Sequence, residues 1–148
     1  MMDILDRAFP VDPSDLLPPV SPDTAVFWEG LAKGRLQVQV CDSCSKSRFP
    51  VAPVCPHCGA TGWQWRALSE RGQVHSWVRY RRSFLPEFAD VMPYVVACVE
   101  FPEGVRMFGW LVDAPKDGAV EIGAAVRAEA ERWPDGRCVV RFRLAKLL

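Results

Sequence analysis

Two cysteine pairs constrain this chain more than any other feature: Cys41-Asp-Ser-Cys44, ten residues, then Cys55-Pro-His-Cys58. In a Cys-x-x-Cys turn both sulfurs point the same way and backbone amides aim at them. Two such turns facing each other close a tetrahedral site of four thiolates, and this separation is the signature of a zinc ribbon. Gly59 follows the second turn, where a left-handed backbone is common. Ser45 holds that place after the first turn, which is therefore expected to carry some strain. Disulfides would need an oxidising compartment, and Met1 to Arg7 lack the basic start and apolar stretch of a secretory signal. A thioredoxin-like redox pair would use one Cys-x-x-Cys at a helix start, not two in turns. Four thiolates also suit iron, but one structural zinc is the favoured reading. Its four protein ligands, Cys41, Cys44, Cys55 and Cys58, leave no open position for catalysis. Zinc supplies ~10–16 kcal/mol of apparent binding energy, enough to fold a ribbon too small to bury its own core.

The 148 residues have room for one compact domain, or for two small modules sharing a core. Apolar residues make up 49% and charged residues 24%, which argues against disorder throughout. No apolar run reaches the roughly twenty residues of a membrane helix, and the cytosol is the default location. The formal net charge is zero, which argues against a generic nucleic-acid binder. The charge is nevertheless uneven: residues 1–34 sum to −4, residues 35–85 to +6 and residues 86–148 to −2. The cationic middle is either a solvated face or a dock for phosphates or carboxylates.

Five prolines in residues 1–22 forbid a regular helix or a central strand there, and an extended leader is expected. A short helix follows over residues 23–35, with Ser21 as cap, Pro22 in the first turn and Gly34 as stop. Phe27 and Leu31 share a face, with Trp28 beside them. These aromatics can pack on the chain's own core, the favoured reading, or on another subunit. Leu36, Val38 and Val40 alternate with polar residues as a half-buried strand, and residues 36–68 form the ribbon. Residues 69–148 read as all-β. In residues 73–80, Val74, Ser76, Val78 and Tyr80 are expected on one face, and His75, Trp77 and Arg79 on the other. Tyr94–Phe101 is a strong strand, and Pro102-Glu-Gly104 turns it into Val105–Val112. Residues 124–133 have helical propensity, yet Val126, Ala128 and Ala130 alternate with charges. A hairpin across Pro134-Asp-Gly136 is the better reading. Five strands suit a small closed barrel of the oligonucleotide/oligosaccharide-binding (OB) type.

Few residues offer catalytic chemistry. His57, inside the second cysteine turn, is expected to face solvent. His75 is expected to be packed or hydrogen-bonded, and Cys98 and Cys138 to be buried small hydrophobes.

The order of these segments resembles a known family. Phe27-Trp28 and Gly34-Arg35-Leu36 lead to the first cysteine pair. Then come Arg48-Phe49-Pro50, Cys55-Pro-His-Cys-Gly59, Trp65, Gly72-x-Val74-x-Ser76, Pro93–Ala97, Glu103–Arg106 and Ile122-Gly123-x-x-Val126. Over about residues 23–145 the chain is similar to small proteins with an N-terminal helix, a rubredoxin-like zinc ribbon and a C-terminal five-stranded OB-fold. Ser45 and Glu70 depart from glycines common in that family. The resemblance implies a mainly β protein that is not an enzyme on its own. It implies a subunit accompanying a thiolase-fold enzyme that acts on carbon–carbon bonds of acyl-CoA, such as a thiolase, a hydroxymethylglutaryl-CoA synthase, an acyltransferase or a lipid-transfer-type aldolase. Within that reading, Arg79, Arg81 and Arg82 are candidates for the CoA phosphates, because guanidinium forks match phosphate oxygens. Phe27, Trp28, Phe84, Leu85 and Phe88 are candidates for partner contact; the loop 83–93 carries five apolar side chains, Phe84, Leu85, Phe88, Val91 and Met92, that need a cover. The alternative is a single-stranded nucleic-acid module, with Trp77 and Tyr80 stacking on bases.

Overall fold

The computed structural model describes Met2, residues 4–6 and residues 16–145. Much of the expected leader, residues 1, 3 and 7–15, lies outside the described residues. Its described part does more than lie extended. Ile4–Asp6 forms a short strand, β1, and the Met2 amide donates to the Gly34 carbonyl at 2.7 Å. The Met2 side chain is buried.

Helix α1 spans Ala25–Ala32, three residues later than a cap at Ser21 would place it. Ser21 and Thr24 bond each other instead: the Ser21 amide donates to Thr24 Oγ1 at 3.0 Å, and the Thr24 amide to Ser21 Oγ at 3.3 Å. That closes a turn of its own before the α-helix begins. Gly34 stops the helix with φ of 71°, as expected. Eight residues are too few to hold a helix by propensity, and burial of Phe27 and Leu31 holds it.

The ribbon is a three-stranded antiparallel sheet in the order β3-β2-β4, formed by Ser47–Arg48, Gln37–Cys41 and Trp63–Ala67. Leu36 and Val38 are buried as the alternation requires, but Val40 is only half-buried and Gln39 is 1% exposed. The Gln39 carbonyl oxygen accepts from Arg48 Nε and from the Ala52 amide, both at 2.9 Å. The Arg48 guanidinium in turn lies 5.2 Å from the Trp63 ring centre. A polar clamp therefore occupies the centre of the ribbon.

The barrel strands are β5 (Arg71–Tyr80), β6 (Tyr94–Glu100), β7 (Arg106–Leu111), β8 (Ala125–Arg132) and β9 (Cys138–Leu144). They run in the order β8-β5-β6-β7-β9, and β9 pairs back onto β8 to close the barrel. Strand β1 adds to β8 in parallel. The doubtful stretch 124–133 is a strand, antiparallel to β9 across the turn, as its alternation predicted. The core gathers Val74, Ala97, Val99, Val126, Ala130 and Phe142, with α1 packed against it. The ribbon joins the barrel where Glu103 Oε1 accepts from the Ser69 amide at 2.8 Å and its hydroxyl at 2.7 Å. No helix among the described residues is long and apolar enough to cross a membrane.

One face assignment is overturned. Between Val74 and Ser76 the register with β6 slips, leaving His75 as a bulge. A bulge exchanges the faces beyond it. Trp77 therefore turns inward with Val74, while Val78 and Tyr80 turn outward, 52% and 40% exposed. His75 is exposed, not packed as expected.

Candidate metal centre and aromatic ledge

The metal site is built twice by the same local geometry. In the first turn the Ser45 amide donates to the Cys41 carbonyl at 3.0 Å, and the Cys41 amide to Lys46 O at 3.0 Å. In the second, Gly59 donates to Cys55 O at 2.9 Å, and Cys55 to Ala60 O at 2.8 Å. These bonds fold each loop under its two sulfurs. The Sγ atoms of Cys41 and Cys58 lie 3.6 Å apart, those of Cys44 and Cys55 lie 3.7 Å apart, and all four fall within 4.8 Å of one another. Zinc with bonds of about 2.3 Å needs sulfur–sulfur edges of roughly 3.8 Å. The four cysteines fit one zinc ion, which would supply a closed structural crosslink.

The turns also prepare the charge that a metal needs. The Cys44 amide is the main cause holding the Cys41 thiol below its ordinary value, against burial. Burial works to raise Cys55, but the amides of His57 and Cys58 and the sulfurs of Cys44 and Cys41 outweigh it and bring the thiol down to about 6. The Ala60 amide favours the Cys58 thiolate, yet burial and the three other sulfurs push that thiol up to about 11. Metal binding must therefore displace a proton from Cys58. His57 is exposed, as expected, and Cys98 and Cys138 are buried.

Ser45 has φ of 60°, the only positive value at a described non-glycine residue, while Gly59 has 78° at the matching place. The strain expected at Ser45 is present, and Glu70 carries none. Replacing a left-handed serine by glycine removes a Cβ clash. We expect Ser45→Gly to stabilise the metal-loaded protein by about 1 kcal/mol in denaturant unfolding, with zinc stoichiometry unchanged.

The second feature lies on the outer face of β5, β6 and β7. Tyr80 pairs in register with Tyr94, and their rings stack at 4.9 Å. Tyr94 stacks on Trp110, also at 4.9 Å, and Phe88 leans on both at 6.0 Å. Phe108 continues the ledge with 74% of its surface exposed. Phe84 and Leu85, from the loop over this end, are 82% and 44% exposed. Phe88 sits within the stack, on a 3-10 turn over Pro86–Val91. Trp28 is half-buried, but Phe27 packs in the chain's own core against Phe49 at 5.5 Å, which removes it from the expected contact set. Sequence reading missed Tyr94, Phe108 and Trp110 as members of the ledge. Their outward alternation on β6 and β7 was the available signal.

The three arginines gather at the end of β5 but differ in freedom. Arg79 donates to the Pro115 carbonyl at 2.9 Å and lies over Trp77 at 5.2 Å. Arg81 pairs with Asp117 at 3.0 Å, both well exposed. Arg82 lies 5.7 Å from the Phe84 ring centre. Beside them a cleft of about 240 Å³ opens between residues 90–95 and 110–116.

Residues 28–64 match the family of ChsH2 rubredoxin-like zinc ribbon domains, and residues 65–131 that of ChsH2 C-terminal OB-fold domains. The chain is 38% identical over 109 residues to a probable enoyl-CoA hydratase alpha subunit of Thermomonospora curvata, covering 74% of this chain and 33% of that protein. The chain thus spans about a third of that relative's length. It is 30% identical over 105 residues to the benzoylsuccinyl-CoA thiolase subunit BbsA of Thauera aromatica, covering 66% of this chain and 71% of that protein. Among solved structures, a chain of the Ltp2-ChsH2(DUF35) aldolase superposes with a TM-score of 0.77 at 35% identity, covering 88% of this chain and 100% of that chain.

Proposed function

The chain belongs to the ChsH2 family of zinc-ribbon and OB-fold proteins, and from that premise we propose that it is a non-catalytic accessory subunit. Its partner is a thiolase-fold enzyme acting on carbon–carbon bonds of an acyl-CoA by thiolysis, condensation or retro-aldol cleavage. The subunit steadies the partner and helps to hold the CoA thioester. The observation that carries this reading is the aromatic ledge. Phe84, Phe108 and Val78 are more than half exposed around a stacked Tyr80–Tyr94–Trp110 base. A contiguous apolar patch of this kind, rimmed by charge, marks a protein contact. The relatives' names as a thiolase subunit and as a two-component aldolase support it.

Affinity purification of the tagged chain from its native cells is expected to bring a thiolase-fold protein in stoichiometric yield. Phe84→Asp combined with Phe108→Asp is expected to cost about 2 kcal/mol or more of binding, with barrel unfolding unchanged. A solitary chain would overturn the reading. Arg79, Arg81 and Arg82 are proposed to meet the CoA phosphates, Arg82 most freely. Changing all three to Gln should raise the complex's KM for acyl-CoA; an unchanged KM would remove the CoA role and leave the subunit role standing. Of the two rings that would stack on bases in a single-stranded nucleic-acid module, Trp77 packs against the core and donates its indole N–H to Val120 O at 2.8 Å, which leaves Tyr80 alone for that role.

A further inference from the structure

The ribbon sheet has two edges, and they are finished differently. Strand β3 is two residues long and meets Pro50, which has no amide to donate, two residues on. A short edge closed by proline resists further pairing. Strand β4 is five residues long, contains no proline and keeps an unbroken register with β2. On its other side it pairs with no strand among the described residues.

The pairing fixes which backbone groups lie on that open side. Asp42 donates its amide to the Gly62 carbonyl at 3.1 Å, and Leu68 donates to the Leu36 carbonyl at 2.8 Å. Antiparallel bonding alternates along a strand, so Gly62, Gln64, Arg66 and Leu68 turn their backbone groups towards β2. Trp63, Trp65 and Ala67 turn theirs outward, a ready ladder of donors and acceptors. The side chains of Gln64, Arg66 and Ala67 are exposed.

We propose that this edge pairs with the same edge of a second copy of the chain. The two β4 strands run antiparallel about a two-fold axis at Trp65 and join the two ribbons into one continuous sheet. Such a contact is isologous, each copy giving and taking the same bonds. Centred on Trp65, it sets Trp65 opposite Trp65 of the second copy and Trp63 opposite Ala67. These are the residues whose backbone groups face outward, so each opposed pair exchanges both of its bonds. The largest side chain of the strand then stands beside the smallest. The same register sets Gln64 opposite Arg66 at both ends, and no like charges meet. Centring on Arg66 would instead oppose two arginines, and centring at either end would leave part of the strand unpaired. The indoles keep their present contacts, Trp63 with Arg48 and Trp65 with the core, because the pairing asks only for backbone groups. The aromatic ledge stands on β5, β6 and β7, so pairing through β4 uses none of its residues.

The test is sedimentation equilibrium of the full zinc-loaded chain from about 5 to 500 µM, with amide hydrogen exchange at both ends of that range. Strands this short bury far less than the ~800 Å² per partner of a standard interface, so dimerisation in roughly the 10–100 µM range is expected. The amides of Trp63, Trp65 and Ala67 should gain protection with concentration. Those of Gln64 and Arg66, already bonded to β2, should not change. Gln64→Glu places a carboxylate opposite Arg66 at two symmetric positions and should tighten the dimer roughly three- to tenfold. Gln64→Arg opposes arginines there and should weaken it by a similar factor, about three- to tenfold. Phe84→Asp with Phe108→Asp, on the ledge, should leave this dimer intact. The proposal is overturned by a monomer at every concentration, by a dimer indifferent to both Gln64 changes, or by a dimer lost with the ledge changes. Protection gained elsewhere but not at Trp63, Trp65 and Ala67 would overturn it as well.

Discussion

Stripping the metal is expected to unfold the ribbon while the barrel stays folded. The reason is where the apolar burial lies. Val74, Ala97, Val99, Val126 and Phe142, none more than 1% exposed, belong to the barrel strands. The ribbon sheet is centred instead on Gln39 and Arg48, and its buried Leu36, Val38 and Leu68 face the shared core. Beyond them, the turns at Cys44 and at Cys55–Cys58 hydrogen-bond mainly within themselves, and the four sulfurs join one turn to the other. Losing the ion removes ~10–16 kcal/mol of apparent binding energy. Hydrogen exchange after chelation should show loss of protection in residues 37–67 and retained protection in β5–β9. Cys55→Ala should reproduce it in the presence of zinc. Ribbon amides that stay protected in metal-free protein would refute the expectation. Acid should act in the same direction. The folded Cys55 thiol is lowered to about 6 from an ordinary 9.0, so the stability its thiolate contributes is complete above pH 9 and is lost as pH falls through 6. Bound zinc competes with protons for all four sulfurs, so metal release is expected on acidification.

The metal site was legible because its chemistry is local. Four cysteines at that spacing leave few other arrangements, and Ser45 announced its own strain by standing where Gly59 stands in the second turn. The barrel was legible from alternation in Tyr94–Phe101 and across the Pro134–Gly136 turn. Three things were not. The bulge at His75 inserts one residue and turns Val78 and Tyr80 outward, and no residue type at that place signals it. The pairing of Ile4–Asp6 with β8 joins residues more than a hundred positions apart, and a proline-rich stretch conceals it. Gln39 reads as a solvent-facing residue until Arg48 and Ala52 supply its partners. Of the candidate site, the cysteines and the exposed Phe84 were readable. The ledge was not, because it joins side chains from three strands and a loop that only the barrel brings together.

Glu129→Ala should destabilise the barrel strongly. Its carboxylate is 3% exposed and gathers three guanidinium groups. Burial opposes its charge, yet the hydrogen bonds and charges of Arg143, Arg127 and Arg141 hold its pKa below the usual carboxylate value. Its contribution to stability is therefore present above the ordinary pKa of 4.5 and is lost as pH falls through the lower folded value. Arg127 and Arg143 are each 42% exposed and can turn to water, but Arg141, at 9%, cannot. Truncation leaves that buried guanidinium with Glu131 alone. Removing one partner of a buried pair costs about 3–5 kcal/mol, and a loss near the lower figure is expected here because Glu131 remains. Glu129→Leu, Glu131→Leu and Arg141→Met made together remove every charge buried on this hairpin at once. That triple variant should recover most of the loss, since apolar groups of similar volume replace a buried ion network at little cost. Urea unfolding at pH 7 of wild type, Glu129→Ala and the triple variant decides the matter. If the single and triple variants are equally destabilised, the network is not what Glu129 supports. If the triple variant alone recovers, the cost belonged to the unpaired Arg141, and the network's remaining role is register. Glu129 stands directly opposite Arg141 across β8 and β9, so a slip of the hairpin by two residues would break that pairing, whereas the leucines and methionine of the triple variant would oppose such a slip far less.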